Sequence, residues 1–122
     1  MSSQRVSLVL LLKRKPGISM EEFRQHYDNV HAKMAEKCFD HVYDRYSRNF
    51  ITADPDLWAT GEEVNEAPYD AVTVISFLSM EGLEEMQRLV QEPEQFKAFL
   101  DDENSFLDQS SRISFLCEES VS

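Results

Sequence analysis

The sequence contains few of the residues that build disulfide scaffolds, metal clusters and phosphate-binding loops. Only two of its 122 residues are cysteines, Cys38 and Cys117, and they form no CxxC pair. Such a pattern gives no support to a disulfide framework or a cysteine-based zinc site. The three glycines form no Gly-rich phosphate loop, and no nucleophile elbow is present. We therefore expect no metal, no cofactor and no covalent or nucleotide-dependent chemistry.

Positive charge is also scarce. Twelve Lys and Arg residues face 23 Asp and Glu residues, which gives a formal net charge of −11. A surface this acidic repels phosphate backbones and anionic membranes, so we expect neither nucleic acid nor membrane as a partner. The longest apolar run, Leu8 to Leu12, is far shorter than the roughly 20 residues that cross a bilayer. Residues 1–5 lack a signal-peptide pattern, so we expect a cytoplasmic protein.

Apolar residues are plentiful enough for a core. They make up 42% of the chain, with eight Phe and four Tyr, and the length suits one domain spanning residues 1–122. Nearly continuous apolar runs predict strands at 6–12 and 71–78, and alternation predicts two more at 42–51 and 112–117. Ser19 followed by Glu22 is a capping box and predicts a helix over 20–38. Ser79 and Pro93 begin further helical stretches.

The predicted order of elements is β-α-β-β-α-β. This order indicates an α+β protein with a ferredoxin-like arrangement around an antiparallel sheet. The helices of such a fold cover one face of the sheet. The strands at 6–12 and 71–78 are apolar on both faces, so the other face also needs cover. A second copy of the chain, sheet against sheet, is the simplest cover, and we expect a homodimer.

The helix over 20–38 carries the residue best suited to proton transfer. Its apolar stripe is Phe23, Tyr27, Val30 and Met34, and His31 lies beside it. His31 is therefore either a half-buried structural residue or an imidazole pointing into a pocket, where it can act as a general acid or base.

The other two histidines carry no predicted role. His26 is five residues before His31, about 140° away around an α-helix, so the pair does not form a two-ligand metal face. We expect His26 and His41 near the ends of elements.

Three other segments allow two interpretations each. Tyr46, Arg48 and Asn49 interrupt a strand with polar side chains, which is typical either of a solvated edge strand or of the lining of a polar cavity. The stretch from Ala53 to Pro68 reads as a long loop that serves as a lid or a partner surface. The acids Asp101, Asp102, Glu103 and Asp108 are either paired catalytic carboxylates or, as we favour, a solvated helix start.

The opening of the chain resembles that of EthD-domain proteins. The matching residues are the turn Leu12-Lys13-Arg14-Lys15-Pro16-Gly17-Ile18-Ser19, then Glu21-Glu22-Phe23-Arg24, His26-Tyr27 and Val30-His31-Ala32. Three later stretches fit as well, at residues 46–51, 69–72 and 102–108. The sequence departs from the family pattern at Met34-Ala35, near the place where many members have a Pro-Leu pair.

The resemblance implies a dimeric α+β barrel with a cofactor-free pocket between sheet and helices. It also implies His31, with Tyr27 one turn before it, and the polar strand residues Tyr46 and Asn49 as site residues. We expect His31, Tyr46 and Asn49 to be catalytic, and Phe23, Tyr27, Met34 and Arg48 to bind the substrate. Family members in fungal polyketide pathways act on aromatic acids, so we expect a cofactor-independent lyase, a decarboxylase or dehydratase of an aromatic carbonyl compound. The alternatives are a cyclase or isomerase using the same proton-transfer groups, a non-catalytic carrier, and a cofactor-free oxygenase, since activated phenols can react with oxygen in such a pocket.

Overall fold

The described part of the chain forms a four-stranded sheet with four α-helices. The computed structural model describes residues 4–52 and 68–122, so the loop predicted at 53–68 lies outside the described residues except for Pro68. The strands are β1 (Val6–Leu12), β2 (Arg45–Phe50), β3 (Ala71–Phe77) and β4 (Ile113–Glu118). The helices are α1 (Met20–His26), α2 (Ala32–Phe39), α3 (Met80–Leu89) and α4 (Pro93–Phe106). A π-helical turn, Tyr27–His31, joins α1 to α2, and a 3-10 turn, Gln109–Ser111, precedes β4.

The sheet has the strand order β2-β3-β1-β4, and every neighbouring pair is antiparallel. This is the ferredoxin-like arrangement that the element order predicted. Two strands are displaced from their predicted bounds. β2 begins at Arg45 and not at residue 42, because the Val42 N–H still bonds to the Phe39 carbonyl at 2.9 Å in the turn after α2. β4 begins one residue later than predicted, at Ile113.

One face of the sheet turns towards the helices. Leu8 of β1 lies opposite Ile75 of β3 and Leu116 of β4, and Ile75 lies opposite Tyr46 of β2. Because side chains alternate between the two faces of a strand, all four share one face. The same four residues line the cavity between sheet and helices.

The opposite face of the sheet is apolar across β1, β3 and β4 in two neighbouring rows, whereas β2 contributes Ser47 and Asn49 to these rows. Val9 lies opposite Val74 and Phe115, and the neighbouring row contains Leu11, Val72 and Ile113. The valines and leucine are partly exposed, and Phe115 and Ile113 are exposed. This is the two-faced apolar pattern that the sequence predicted for β1 and β3.

The first helical segment begins as predicted but departs from regular α-helix geometry. Ser19 Oγ accepts a hydrogen bond from the Glu22 N–H at 3.1 Å. In the π-helical turn the Ala32 N–H bonds to the Tyr27 carbonyl, five residues back instead of four. The extra residue shifts the buried face, so that His31 turns inward and Val30 outward. Val30 is 42% exposed, and its assignment to the apolar stripe is wrong.

Aromatic side chains dominate the interior. Phe23, Phe39, Phe77 and Phe106 are fully buried, and together they contact the helix face of the sheet and the inner sides of α1, α2 and α4. No helix within residues 4–52 and 68–122 is long and apolar enough to cross a membrane.

Candidate functional site

A cavity of about 370 Å³ lies between the helix face of the sheet and the helices. Pockets that hold small organic ligands in proteins start at about 300 Å³, so this volume suits one small molecule. Most of its wall is aliphatic or aromatic. The polar side chains in the wall fall into two groups, one around His31 and one around Tyr46.

His31 is held rigidly in the wall. Its side chain is buried, with 4% exposure. The imidazole ring stacks on the Phe99 ring, with 4.5 Å between the two ring centroids. Nδ1 lies 2.9 Å from Asp102 Oδ2. Because a carboxylate only accepts hydrogen bonds, this contact places a hydrogen on Nδ1. Nε2 faces the Glu103 carboxylate, with 3.6 Å to Oε2, which is beyond a good hydrogen bond but close enough for an ion pair when the imidazole is protonated.

The π-helical turn also brings His26 to the same carboxylate. His26 Nε2 lies 2.9 Å from Asp102 Oδ1, so the two histidines share one aspartate. The predicted separation of about 140° assumed an unbroken α-helix, and it is wrong. The π-helical turn is closed by a hydrogen bond between residues five apart, so such residues lie on the same side of the helix. Among the described residues, no group of three or more His, Cys, Asp or Glu side chains is arranged to hold a metal ion.

Glu103 is a second carboxylate next to His31, and its side chain is buried. Burial raises its pKa, but the contact with His31, the positive charge of Arg112 and a 3.1 Å hydrogen bond from Gln109 Nε2 together hold the pKa at about 2. Arg112 Nη1 forms an ion pair with Glu103 Oε1. At neutral pH the wall next to His31 therefore carries a fixed negative charge matched by the Arg112 guanidinium.

Asp102 and Glu103 contradict the interpretation of the acids as a solvated helix start. Both lie in the last turns of α4, and Glu103 is buried. A signal for this was present in the sequence: positions 102 and 103 follow the buried Phe99 by three and four residues, which is the same face of a helix. These carboxylates are the main site residues that the sequence interpretation missed.

Hydroxyl groups form the second polar region. The Tyr27 hydroxyl lies 2.6 Å from Thr73 Oγ1, and both side chains are buried. Tyr46 lies next to them on β2 and lines the cavity. Burial raises the pKa of Tyr27. Burial also raises the pKa of Tyr46, and the neighbouring Tyr27 hydroxyl raises it further. Both phenols therefore stay protonated at neutral pH and can donate hydrogen bonds.

The other predicted site residues lie outside the cavity wall. Arg48 donates from Nε to Asp28 Oδ1 at 2.8 Å, with its guanidinium 4.9 Å from the centre of the Tyr46 ring. Asn49 is on the opposite face of the sheet, opposite Val72, and its Nδ2 donates to the Val72 carbonyl at 3.0 Å. Phe23 is fully buried in the core, and Met34 packs against the cluster of Phe39, Phe96 and Phe99. The structure therefore brings together His31, Tyr27 and Tyr46, and not the other four.

Comparisons with solved structures show the same fold in other proteins. An ethyl tert-butyl ether d (EthD) family protein from Bacillus halodurans is similar with a TM-score of 0.65 and 19% identity, over 95% of this chain and 99% of that one. A dimeric protein of unknown function and ferredoxin-like fold from Bacteroides fragilis gives 0.58 and 12%, over 94% and 96%. SnoaB, a cofactor-independent oxygenase from Streptomyces nogalater, gives 0.58 and 12%, over 98% and 97%. No curated protein sequence matches the chain significantly.

The match of greatest weight is to a family model. The model of the EthD domain matches residues 15–110, a range that includes Tyr27, His31, Tyr46, Asp102 and Glu103. It extends over far more than half of the chain. The protein therefore belongs to the EthD domain family.

Proposed function

We propose that this protein is a cofactor-independent lyase that moves a proton on an aromatic carbonyl compound of the polyketide type. The observation that supports this best is the placement of His31. It is a buried imidazole in the wall of an apolar cavity, with Nδ1 bonded to the Asp102 carboxylate and Nε2 3.6 Å from Glu103 Oε2. A carboxylate in this position holds an imidazole in one tautomer and stabilises its protonated form.

His31 would act as the proton carrier of the reaction. In dehydration, Nε2 removes a proton from the carbon next to the carbonyl, the electron pair forms an enolate, and the proton then leaves with the hydroxyl group as water. In decarboxylation, the carbon–carbon bond to the carboxylate breaks, carbon dioxide leaves, and the protonated imidazole delivers its proton to the resulting carbanion. Both routes pass through an enolate-like state.

The hydroxyl groups of Tyr27 and Tyr46 would stabilise this state. Because burial keeps both phenols protonated, they can donate hydrogen bonds to the carbonyl oxygen as negative charge develops on it. The reaction then needs no metal and no organic cofactor. SnoaB is described as a cofactor-independent oxygenase, so its fold is compatible with chemistry performed by side chains alone.

A substrate panel tests the proposal. Purified protein is incubated with polycyclic aromatic β-hydroxyketones and with polycyclic β-keto acids, which carry the carboxylate on the carbon next to the carbonyl, and the products are identified by mass spectrometry. We expect loss of water or of carbon dioxide from at least one compound, faster than in buffer. A product of unchanged mass would assign the site to a cyclase or isomerase. Tight binding without any conversion would contradict the lyase and support a carrier.

We also propose that the protein acts as a homodimer whose two sheets face each other. Among the described residues no helix covers the part of the sheet face that contains Val9, Leu11, Val72, Val74 and Phe115, yet this part is apolar. Burying this face between two chains would remove the exposed apolar surface from water. The B. fragilis protein of the same fold is described as dimeric.

Phe115→Asp should convert the dimer to a monomer. Phe115 is 43% exposed and lies on the sheet face that has no helix, so a carboxylate there would be buried without a partner in the dimer. Light scattering should give about the 14.2 kDa of one chain for the variant and about twice that mass for the wild type. Met80→Asp is the matched control, because Met80 is 40% exposed at the start of α3 on the helix side. A wild-type monomer would refute the dimer.

A further inference from the structure

The charges around the cavity restrict what it can bind. Arg112 is the one Lys or Arg side chain among the described residues that line it, and Arg112 already pairs with Glu103. Arg48, behind Tyr46, pairs with Asp28 at 2.8 Å. Residues 53–67 contain no Lys or Arg at all. A carboxylate entering the cavity therefore meets no guanidinium or ammonium group that lacks a carboxylate partner already.

The local sum of charges is unfavourable for an anion as well. Asp102 and Glu103 contribute two negative charges beside His31, and Arg112 contributes one positive charge. With neutral imidazoles the cluster carries one net negative charge, and protonation of one imidazole brings the sum only to zero. The chain as a whole carries −11, which adds a long-range repulsion of anions.

The remaining polar groups suit an uncharged ligand. Tyr27, Tyr46 and Thr73 present hydroxyl groups, and Gln87 presents an amide. Neutral donors of this kind bind carbonyl and phenol oxygens. They do not offset the cost of moving a carboxylate from water into a mainly apolar cavity, which needs an opposite charge.

From these contacts we infer that the cavity selects an uncharged aromatic ketone or phenol and discriminates against the same molecule with a free carboxylate. This inference rests on the proposed function and narrows it: of the two lyase reactions, it favours loss of water from a neutral hydroxyketone. Among the described residues of the cavity wall, the carboxylate that a decarboxylase must bind meets only the Arg112 guanidinium, which already pairs with Glu103.

Three matched ligands test the inference: a hydroxyanthrone, the same anthrone with a ring carboxylate, and the methyl ester of that acid. Affinities are measured by titration calorimetry at about pH 8, where the ring carboxylate of the acid is fully ionised. We expect the ester and the parent anthrone to bind at least about tenfold more tightly than the acid, because only the acid buries an unpaired charge. Equal or tighter binding of the acid would overturn the inference.

Two variants locate the source of the discrimination. Glu103→Gln removes the partner of Arg112, so the ratio of acid to ester affinity should rise by about tenfold. Asp101→Asn changes the net charge by the same amount on the same helix, but Asp101 is exposed and pairs with Lys97, so the ratio should stay as in the wild type. An equal change in both variants would overturn the assignment to Glu103 and Arg112.

Binding of the three ligands to the wild-type protein distinguishes a failure of the proposed function from a failure of this inference. If none of the three ligands binds, the proposed function falls together with the inference. If all three bind and the acid is not disfavoured, only the inference falls. If the neutral ligands bind preferentially but no neutral hydroxyketone is converted, the lyase is contradicted and the inference about the ligand stands.

Discussion

Replacing His31 by Asn should lower the turnover of the substrate by about two to four orders of magnitude, the usual contribution of a positioned general acid or base. Asn is the informative substitution because its amide nitrogen can occupy nearly the place of Nδ1 and still donate to Asp102. The side chain has no counterpart of Nε2. The variant therefore removes the proton carrier while it preserves the contact that fills the buried site.

The measurement is the rate of product formation together with the dissociation constant of a neutral ligand. We expect the rate to fall and the dissociation constant to change by only a small factor. His41→Asn is the control, because His41 is exposed and does not line the cavity. Undiminished turnover in His31→Asn would show that another group moves the proton. Equal losses in both variants would indicate a general effect on folding.

The sequence predicted the sheet because its signals are local and periodic. The apolar runs at 6–12 and 71–78 became β1 and β3, and the capping box at Ser19 marks the start of α1. Strand alternation also predicts on which face of the sheet each side chain lies, and our choice of catalytic residues from the sequence did not take this into account. Tyr46 and Asn49 are three residues apart on one strand, and such residues lie on opposite faces, so they could not share a cavity.

The arrangement of the site depends on features that periodicity does not contain. The π-helical turn changes which residues of the first helical segment face inward. The spacing of the apolar residues in this segment gives no sign that the turn contains an extra residue. The partners of His31 come from α4, more than 70 residues away in sequence. Contacts of that kind are set by how helices pack on the sheet. The pattern of the sequence could therefore identify His31 as a candidate but not Asp102 as the residue that orients it.

The second large effect is expected for Tyr46→Phe. Removing one hydrogen-bond donor to a developing oxyanion costs about 10² to 10³ in kcat, and we expect a loss of this size with little change in KM. Tyr46 is the residue to replace, because its substitution leaves the 2.6 Å contact between the Tyr27 hydroxyl and Thr73 Oγ1 in place. Phe preserves the ring that packs against the cluster of Phe39 and Phe99, so the cavity should keep its shape.

The pH dependence distinguishes a donor from a general acid. Burial raises the pKa of Tyr46, so its hydroxyl stays protonated at and above neutral pH, and the ratio of wild-type to Tyr46→Phe rates should be constant from about pH 6 to 9. Tyr43→Phe is the matched control, since Tyr43 also lines the cavity and packs edge-on against Tyr46. If Tyr43→Phe loses as much kcat as Tyr46→Phe, the effect belongs to ring packing. If only KM rises in Tyr46→Phe, the hydroxyl binds the ground state and does not stabilise the enolate, and the oxyanion must be held by Tyr27 and Thr73 instead.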